Sequence, residues 1–353
     1  MEIDRGFTDS ELGRFWAQFI ALAPFVFQSA TSLRNLGVLK ALTDSDGPQS
    51  FESIRNATGL SDYSLSVLLD AGESTKLIEK TEAGFQVTEA GKYIEKDDLT
   101  RVNMNFSQDV CYEGLKSLED SLRSHKPEGL KTFSSSSTIY EALTSLPEKA
   151  QKSWFDFDHY FSDDSFPRVI PLVFNTKPSR ILDVGGNTGK FAIACATHSP
   201  TVRVTILDHA NQLKIAKERI SEKGFADRID LKPIDLLDHS KPFPEGHDVI
   251  WMSQFLDCFG KEDVIAILKR AHSAMTEGSC LYVMETFTDK QRYQTAKFCL
   301  DMTSLYFTAM ANGVSRMYPT SQFYPLIEAA GLSIAQETHN IRMGHSLLKI
   351  VRK

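Results

Sequence analysis

The stretch Arg180-Ile-Leu-Asp-Val-Gly-Gly-Asn-Thr-Gly-Lys-Phe constrains this chain more than any other. Ile181 to Val184 read as a short buried strand, which runs into a turn containing Gly185, Gly186 and Gly189. A helix is predicted from about Lys190 to Thr197. Glycines let the backbone approach a ligand closely, and a helix start offers unpaired N–H groups and a positive dipole end. Residues 180–353 continue to alternate short apolar runs with amphipathic helices, the pattern of a doubly wound parallel sheet. The fold class is therefore α/β.

Spacing decides among nucleotide-type turns. A phosphate-binding P-loop needs GxxxxGK[ST]; here Gly185 and Gly189 are one residue too close and Phe191 follows Lys190. The dinucleotide fingerprint GxGxxG fails as well, because Asn187 stands where the second glycine belongs. An acid at the strand end, Asp183, before a looser GGxxG turn suits S-adenosylmethionine, whose amino-acid end makes no demand for a pyrophosphate cradle. The next strand, Val202 to Leu207, ends in Asp208, which can accept hydrogen bonds from ribose hydroxyls. The alternative role for Asp208 is capping the helix Ala210–Lys223. A third strand, Ile229 to Ile234, ends in Asp235 and Leu236, which could hold adenine between a carboxylate and an apolar side chain. The fourth, Val249 to Met252, runs into Ser253, and the fifth, Cys280 to Met284, ends in Glu285. Polar groups at the carboxyl ends of successive strands are where open α/β sheets bind ligands.

The first hundred residues read differently. A short helix from Phe51, a turn at Gly59, a helix over Ser61–Thr75 and two short strands, Leu77–Glu79 and Phe85–Val87, make a winged-helix arrangement. Its would-be recognition helix carries Asp62, Asp70 and Glu73 and no Lys or Arg. Phosphate contacts supply most DNA affinity, so nucleic acid is not the expected partner. The whole chain agrees: 39 Lys and Arg against 46 Asp and Glu give a net charge of −7. The helices from Phe15 to Leu42 are apolar around much of their circumference, and a partner subunit is the simplest cover. The apolar run Phe15–Phe27 is too short to span a bilayer, and the start, MEIDRGFTDSELGRFW, has no basic region of a signal peptide. Five scattered cysteines without a CxxC read as reduced thiols of a cytoplasmic protein, with no metal site expected.

Taken together, Asp183 to Gly189, Asp208 and Ile234 to Leu237 resemble the motifs of the small-molecule O-methyltransferases of the caffeic-acid and hydroxyindole type. The family's DVGGGTG stands here with Asn187 for its third glycine, and its terminal AGF…SLIE is similar to Ala330-Gly331-Leu332 and His345–Leu348. The resemblance implies a class I S-adenosylmethionine-dependent methyltransferase fold, Rossmann-like, with seven strands of which the last is antiparallel. It implies three parts: a winged-helix-like dimerisation domain (1–100), a helical connector lining the acceptor pocket (101–177) and the cofactor-binding domain (178–353). It also implies a homodimer and a small-molecule hydroxyl acceptor.

Where the family has its catalytic histidine, this chain has Asp257, followed by Cys258 and Phe259. Of the two flanking glutamates Glu285 is kept, and Ser315 replaces the other. Reference pKa values of about 3.9 for Asp and about 10 for a phenol put about 8 kcal/mol against full proton transfer. Three readings follow: Asp257 as a weak base with transfer driven by proximity, His159 as a substitute, or a cofactor-binding protein that does not methylate or runs a different reaction. For the acceptor, the resemblance points to Met104–Tyr112, Trp154–Phe166 and Phe298–Tyr318, with His159, Asp301, Met302 and Tyr306 as contacts. Ordinary core packing is the alternative for the apolar residues among them.

Overall fold

In the computed structural model, residues 8–353 are described, apart from the side chains of residues 161–163. The opening residues, on which the signal-peptide reading rests, and the side chain of Phe161 lie outside the described residues. The chain divides into two compact units, Met1–Asn105 and Phe106–Lys353.

In the first unit, helices Asp9–Ala21, Ala23–Asn35 and Val38–Thr43 precede Phe51–Thr58 and Asp62–Ser74. Each of the last two starts on a serine, Ser50 and Ser61, whose hydroxyl accepts from the N–H three residues on. The first of them stops at Gly59, whose φ of 69° is the left-handed conformation that glycine tolerates. β1 (Ile78–Thr81) and β2 (Gly84–Val87) then pair antiparallel as the wing. The core gathers Leu33, Leu39, Leu42, Ile54, Leu65, Leu69 and Ile78. Helix Asp9–Ala21 has no buried residue at all, and Phe25 in the next helix is 72% exposed. The apolar N-terminal helices thus satisfy only their inner faces within their own unit.

The second unit opens with helical segments that include Glu148–Ser162 and Phe166–Phe174, then builds one sheet. Its strands are β3 (Arg180–Val184), β4 (Arg203–Asp208), β5 (Ile229–Pro233), β6 (Val249–Ser253), β7 (Cys280–Glu285), β8 (Leu332–Ile341) and β9 (His345–Arg352). They lie in the order β5-β4-β3-β6-β7-β9-β8. All neighbours are parallel except at β9, which runs antiparallel to both β7 and β8. This is the seven-stranded sheet with an antiparallel last strand that the family resemblance implies. The helices on its two faces bury separate cores, one around Met252, Leu268 and Val283, the other around Phe191, Ile206 and Trp251. Chain order reverses between β3 and β6, the switch point at which open α/β sheets bind ligands.

Candidate functional site

At that switch point lies a cleft open to solvent. β3 contributes Asp183, the following turn Gly185 to Thr188, the next helix Lys190 and Phe191, β6 Trp251 and Ser253, and helix Glu148–Ser162 Asp158 and His159. Trp251 stacks on Phe191 with centroids 4.0 Å apart and planes 7° from parallel, and so gives the cleft a flat apolar wall. The glycines are there for space. A Cβ at Gly185 would sit 2.4 Å from the Phe255 ring, and one at Gly186 would sit 2.7 Å from Asp183 Oδ2. Gly189, at φ 78°, caps helix Lys190–His198 without a side-chain bond, which leaves its first N–H groups facing the turn.

Several polar atoms of the cleft are buried without a hydrogen-bond partner. Asp183 is 2% exposed, and its Oδ2 is buried without a donor. Burial, then the nearby charge of Asp208, pushes its carboxyl up to about 8. Ser253 Oγ, Gln254 Oε1 and Asn187 Oδ1 are likewise buried without partners. Gln254 holds φ at 46°, a strained position for a side-chain-bearing residue. Acceptors lacking donors, beside carboxylates and a flat apolar wall, suit a ligand with a cationic, donor-rich end. S-adenosylmethionine has one in its α-ammonium, with a sulfonium beside it, so the residues present fit that cofactor.

Asp208 is buried at the end of β4. Its Oδ2 accepts from Asn187 N at 2.8 Å and its Oδ1 from His209 N at 2.7 Å. The N-cap of the following helix is His209, with no side-chain bond, so Asp208 faces the glycine turn and does not cap. Asp235 is exposed and accepts from Leu237 N at 2.9 Å. Leu236 packs into the core beside Leu207 and Leu256, and the outward apolar side chain at this loop is Leu237. Neither Asp235 nor Leu236 is among the residues lining the cleft.

The loop after β6 carries Asp257, 6% exposed, whose Oδ1 accepts a long bond from Cys258 Sγ at 3.5 Å. Glu285, 2% exposed at the end of β7, lies beneath it: Oε1 accepts from Phe255 N at 3.0 Å and Leu256 N at 2.9 Å. Burial raises both carboxyls above the ordinary range, Glu285 the further because the charge of Asp257 adds to it. The two carboxyls titrate together as a pair, and the N–H groups of Phe255 and Leu256 oppose the upward push on Glu285. Ser315 is buried, its N–H donating to Asn312 Oδ1 at 3.0 Å.

The three segments expected around the acceptor meet in one core that includes Phe106, Trp154, Tyr306 and Met310, with Cys258 packed against it. Tyr306 is buried in an aromatic cluster, where its hydroxyl accepts from Trp154 Nε1 at 2.7 Å, with Phe106 4.9 Å away edge-on. His159 lies at the cofactor-type cleft, beside Asp158. Asp301 is ion-paired with Lys297 on its own helix, Gln294–Tyr306. Met302 is 46% exposed and Phe298 is also exposed, so on this helix neither core packing nor an enclosed pocket holds them. The sequence reading missed Asp158, Gln254 and Lys190 as cleft residues, and had Asn187 only as a departure from a motif.

Residues 167–333 match the family profile described as "O-methyltransferase domain", and residues 14–85 match "Dimerisation2-like domain". The chain joins an O-methyltransferase domain to a Dimerisation2-like domain. Among its relatives is the L-tyrosine C(3)-methyltransferase of Streptomyces lavendulae, 26% identical over 328 residues that span 91% of this chain and 86% of that protein. The same fold is seen in the mitomycin 7-O-methyltransferase MmcR, with a TM-score of 0.73, 19% identity and coverage of 97% of this chain and 98% of that one. It recurs in NcsB1, an O-methyltransferase from neocarzinostatin biosynthesis, solved with S-adenosyl-L-homocysteine and 1,4-dihydroxy-2-naphthoic acid. There the TM-score is 0.68 at 18% identity, over 93% of this chain and 96% of that one. The family's cofactor is S-adenosylmethionine. Its dimerisation domain corresponds to the N-terminal unit described above, and no helix among the described residues is long and apolar enough to cross a membrane.

Proposed function

We propose that this chain is a cytoplasmic, homodimeric methyltransferase that moves the methyl group of S-adenosylmethionine to a hydroxyl of a small aromatic or polyketide-like molecule. The observation that carries the reading is the cleft at the sheet's switch point, where a glycine turn without room for Cβ atoms meets buried acceptors lacking donors. The proposed division of labour is 1–100 for dimerisation, 101–177 for lining the acceptor side and 178–353 for the cofactor.

When bound, the cofactor supplies an electrophilic methyl group on sulfonium, ready for in-line displacement. Asp183, Gly185, Gly186, Gly189 and Ser253 hold its amino-acid end, and Asp208 accepts from the ribose. Asp235 meets the adenine from the rim. The burial of Leu236 leaves Leu237 as the apolar side chain available there. At the acceptor stands Asp257, with Glu285 beneath it bracing the backbone at Phe255 and Leu256. A carboxylate of this kind orients a hydroxyl by accepting its hydrogen bond and takes the proton fully only from an acidic acceptor. Holding the reacting atoms in line supplies the greater part of the acceleration. His159, placed at the cleft, serves the cofactor side better than the acceptor. Tyr306, bonded to Trp154, shapes an apolar wall.

Labelled-methyl transfer over a panel of phenols and hydroxyquinones, with product analysis, tests the reading. Ether products support it, and binding without transfer to any acceptor overturns it. Transfer to a ring carbon ortho to a hydroxyl is the second reading, favoured by the tyrosine C(3)-methyltransferase that aligns over most of both chains. Asp208→Ala should weaken S-adenosylhomocysteine binding by more than about tenfold, since two hydrogen bonds to a charged group are lost. Unchanged affinity removes Asp208 from the cofactor site.

A further inference from the structure

Asn187 sits at a φ of 49°, in the left-handed region where glycine is at ease and asparagine only tolerated. Its three polar groups are distributed in a particular way. The backbone N–H donates to Asp208 Oδ2 at 2.8 Å. The side-chain Nδ2 donates to Asp158 Oδ2 at 3.3 Å, reaching across to helix Glu148–Ser162. Oδ1 is buried in the cleft with no donor. The amide cannot be turned round, because that would set Oδ1 against a carboxylate oxygen that only accepts. Its acceptor end is therefore committed to the cleft, next to Asp183 Oδ2, which also lacks a donor.

We propose that Asn187 and Asp158 form a clasp on the cationic amino-acid end of S-adenosylmethionine. Asn187 Oδ1 accepts from the α-ammonium, while Nδ2 holds the Asp158 carboxylate against the same positive group. An end without donors would leave the buried acceptors unsatisfied, and beside the Asp158 carboxylate a cationic donor is favoured over an anionic one. Asn187 also joins three segments at once: the turn it belongs to, β4 through Asp208, and helix Glu148–Ser162 through Asp158. The inference rests on the cofactor reading above and adds two residues to it, one from outside the Rossmann-like core.

Two ligands separate the clasp from the cofactor reading itself: S-adenosylhomocysteine, which carries the amino-acid end, and 5′-methylthioadenosine, which lacks it. Titration calorimetry on the full chain compares wild type, Asn187→Gly, Asp158→Ala and the double variant. Glycine suits the local φ, so Asn187→Gly removes the side chain without straining the turn. The expected result is a loss of about tenfold or more for S-adenosylhomocysteine in each single variant. The double variant should lose little more than either single one, because the residues act as a pair. Affinity for 5′-methylthioadenosine should stay within about twofold throughout. Asn187→Gly binding S-adenosylhomocysteine as wild type does, or losing both ligands equally, overturns the clasp. Wild-type protein binding both ligands equally well overturns the clasp and leaves the cofactor reading standing. Wild-type protein binding neither ligand overturns both.

Discussion

Asp183 couples ligand binding to protons. Its carboxyl is raised to about 8 by burial and by the charge of Asp208. An ammonium partner favours the ionised form and draws that value down, so binding near neutrality releases a proton. Affinity for S-adenosylhomocysteine should therefore rise between pH 6 and 8, by up to about tenfold per pH unit for one proton, and then level off. Calorimetry in buffers of different ionisation heat reads the proton directly, and Asp183→Asn should abolish it; a flat pH profile would refute the role. At the other end of the site, Asp257→Asn should lower kcat by about tenfold or more if the ionised carboxylate orients the acceptor, and full activity excludes it. Asp183 and Asp208 were legible in the sequence because each stands at or next to the last residue of an apolar run, where the strand fixes the direction of its side chain. Asp158 and Gln254 were not. One enters the cleft from a distant helix, and the other through a backbone conformation that no residue type announces.

Among elements, the segment after β6 is held from three directions. Glu285 accepts two of its N–H groups, Asn312 Nδ2 donates to Cys258 O at 2.6 Å, and Tyr318 Oη donates to Phe259 O at 2.8 Å. Family resemblance gave Glu285 a place beside the acceptor. In the fold its Oε1 is a brace under the segment that bears Asp257, a role invisible without knowing that β6 and β7 are neighbours. Glu285→Gln keeps an acceptor and should cost little. Glu285→Ala strands two buried donors and should cost about 2–4 kcal/mol, measured by denaturant unfolding. Equal stability of the two variants would count against the brace. Helix Gln294–Tyr306 teaches the opposite lesson about periodicity. Its apolar residues at spacings of three and four fit a buried face, yet Phe298 and Met302 point outward, because spacing finds a face without saying what covers it.

At the scale of the molecule, the same uncovered apolar surface dominates the N-terminal unit, where Ile20, Leu22 and Phe25 are exposed on helices with few buried positions. A second copy burying this surface gives light scattering at twice the chain mass, and Phe25→Asp should shift it to the monomer; an unshifted mass removes this surface from the interface. Stability carries its own titration in the second unit. His345 begins β9 fully buried, with Nδ1 3.0 Å from Ser165 Oγ, and burial lowers it from 6.5 to about 4. A depressed histidine folds neutral, so its contribution is complete above pH 6.5 and drains away as the pH falls through 4. That shift corresponds to about 3 kcal/mol, and His345→Gln should lose less stability than wild type between pH 7 and 4.5. Equal losses would leave His345 without a part in acid unfolding. β9 also sets a timetable. It comes after every other strand in the chain yet pairs on both sides, between β7 and β8. During synthesis β7 therefore waits with an open edge until residues 345–352 emerge, and a nascent chain stalled before that point exposes an aggregation-prone strand.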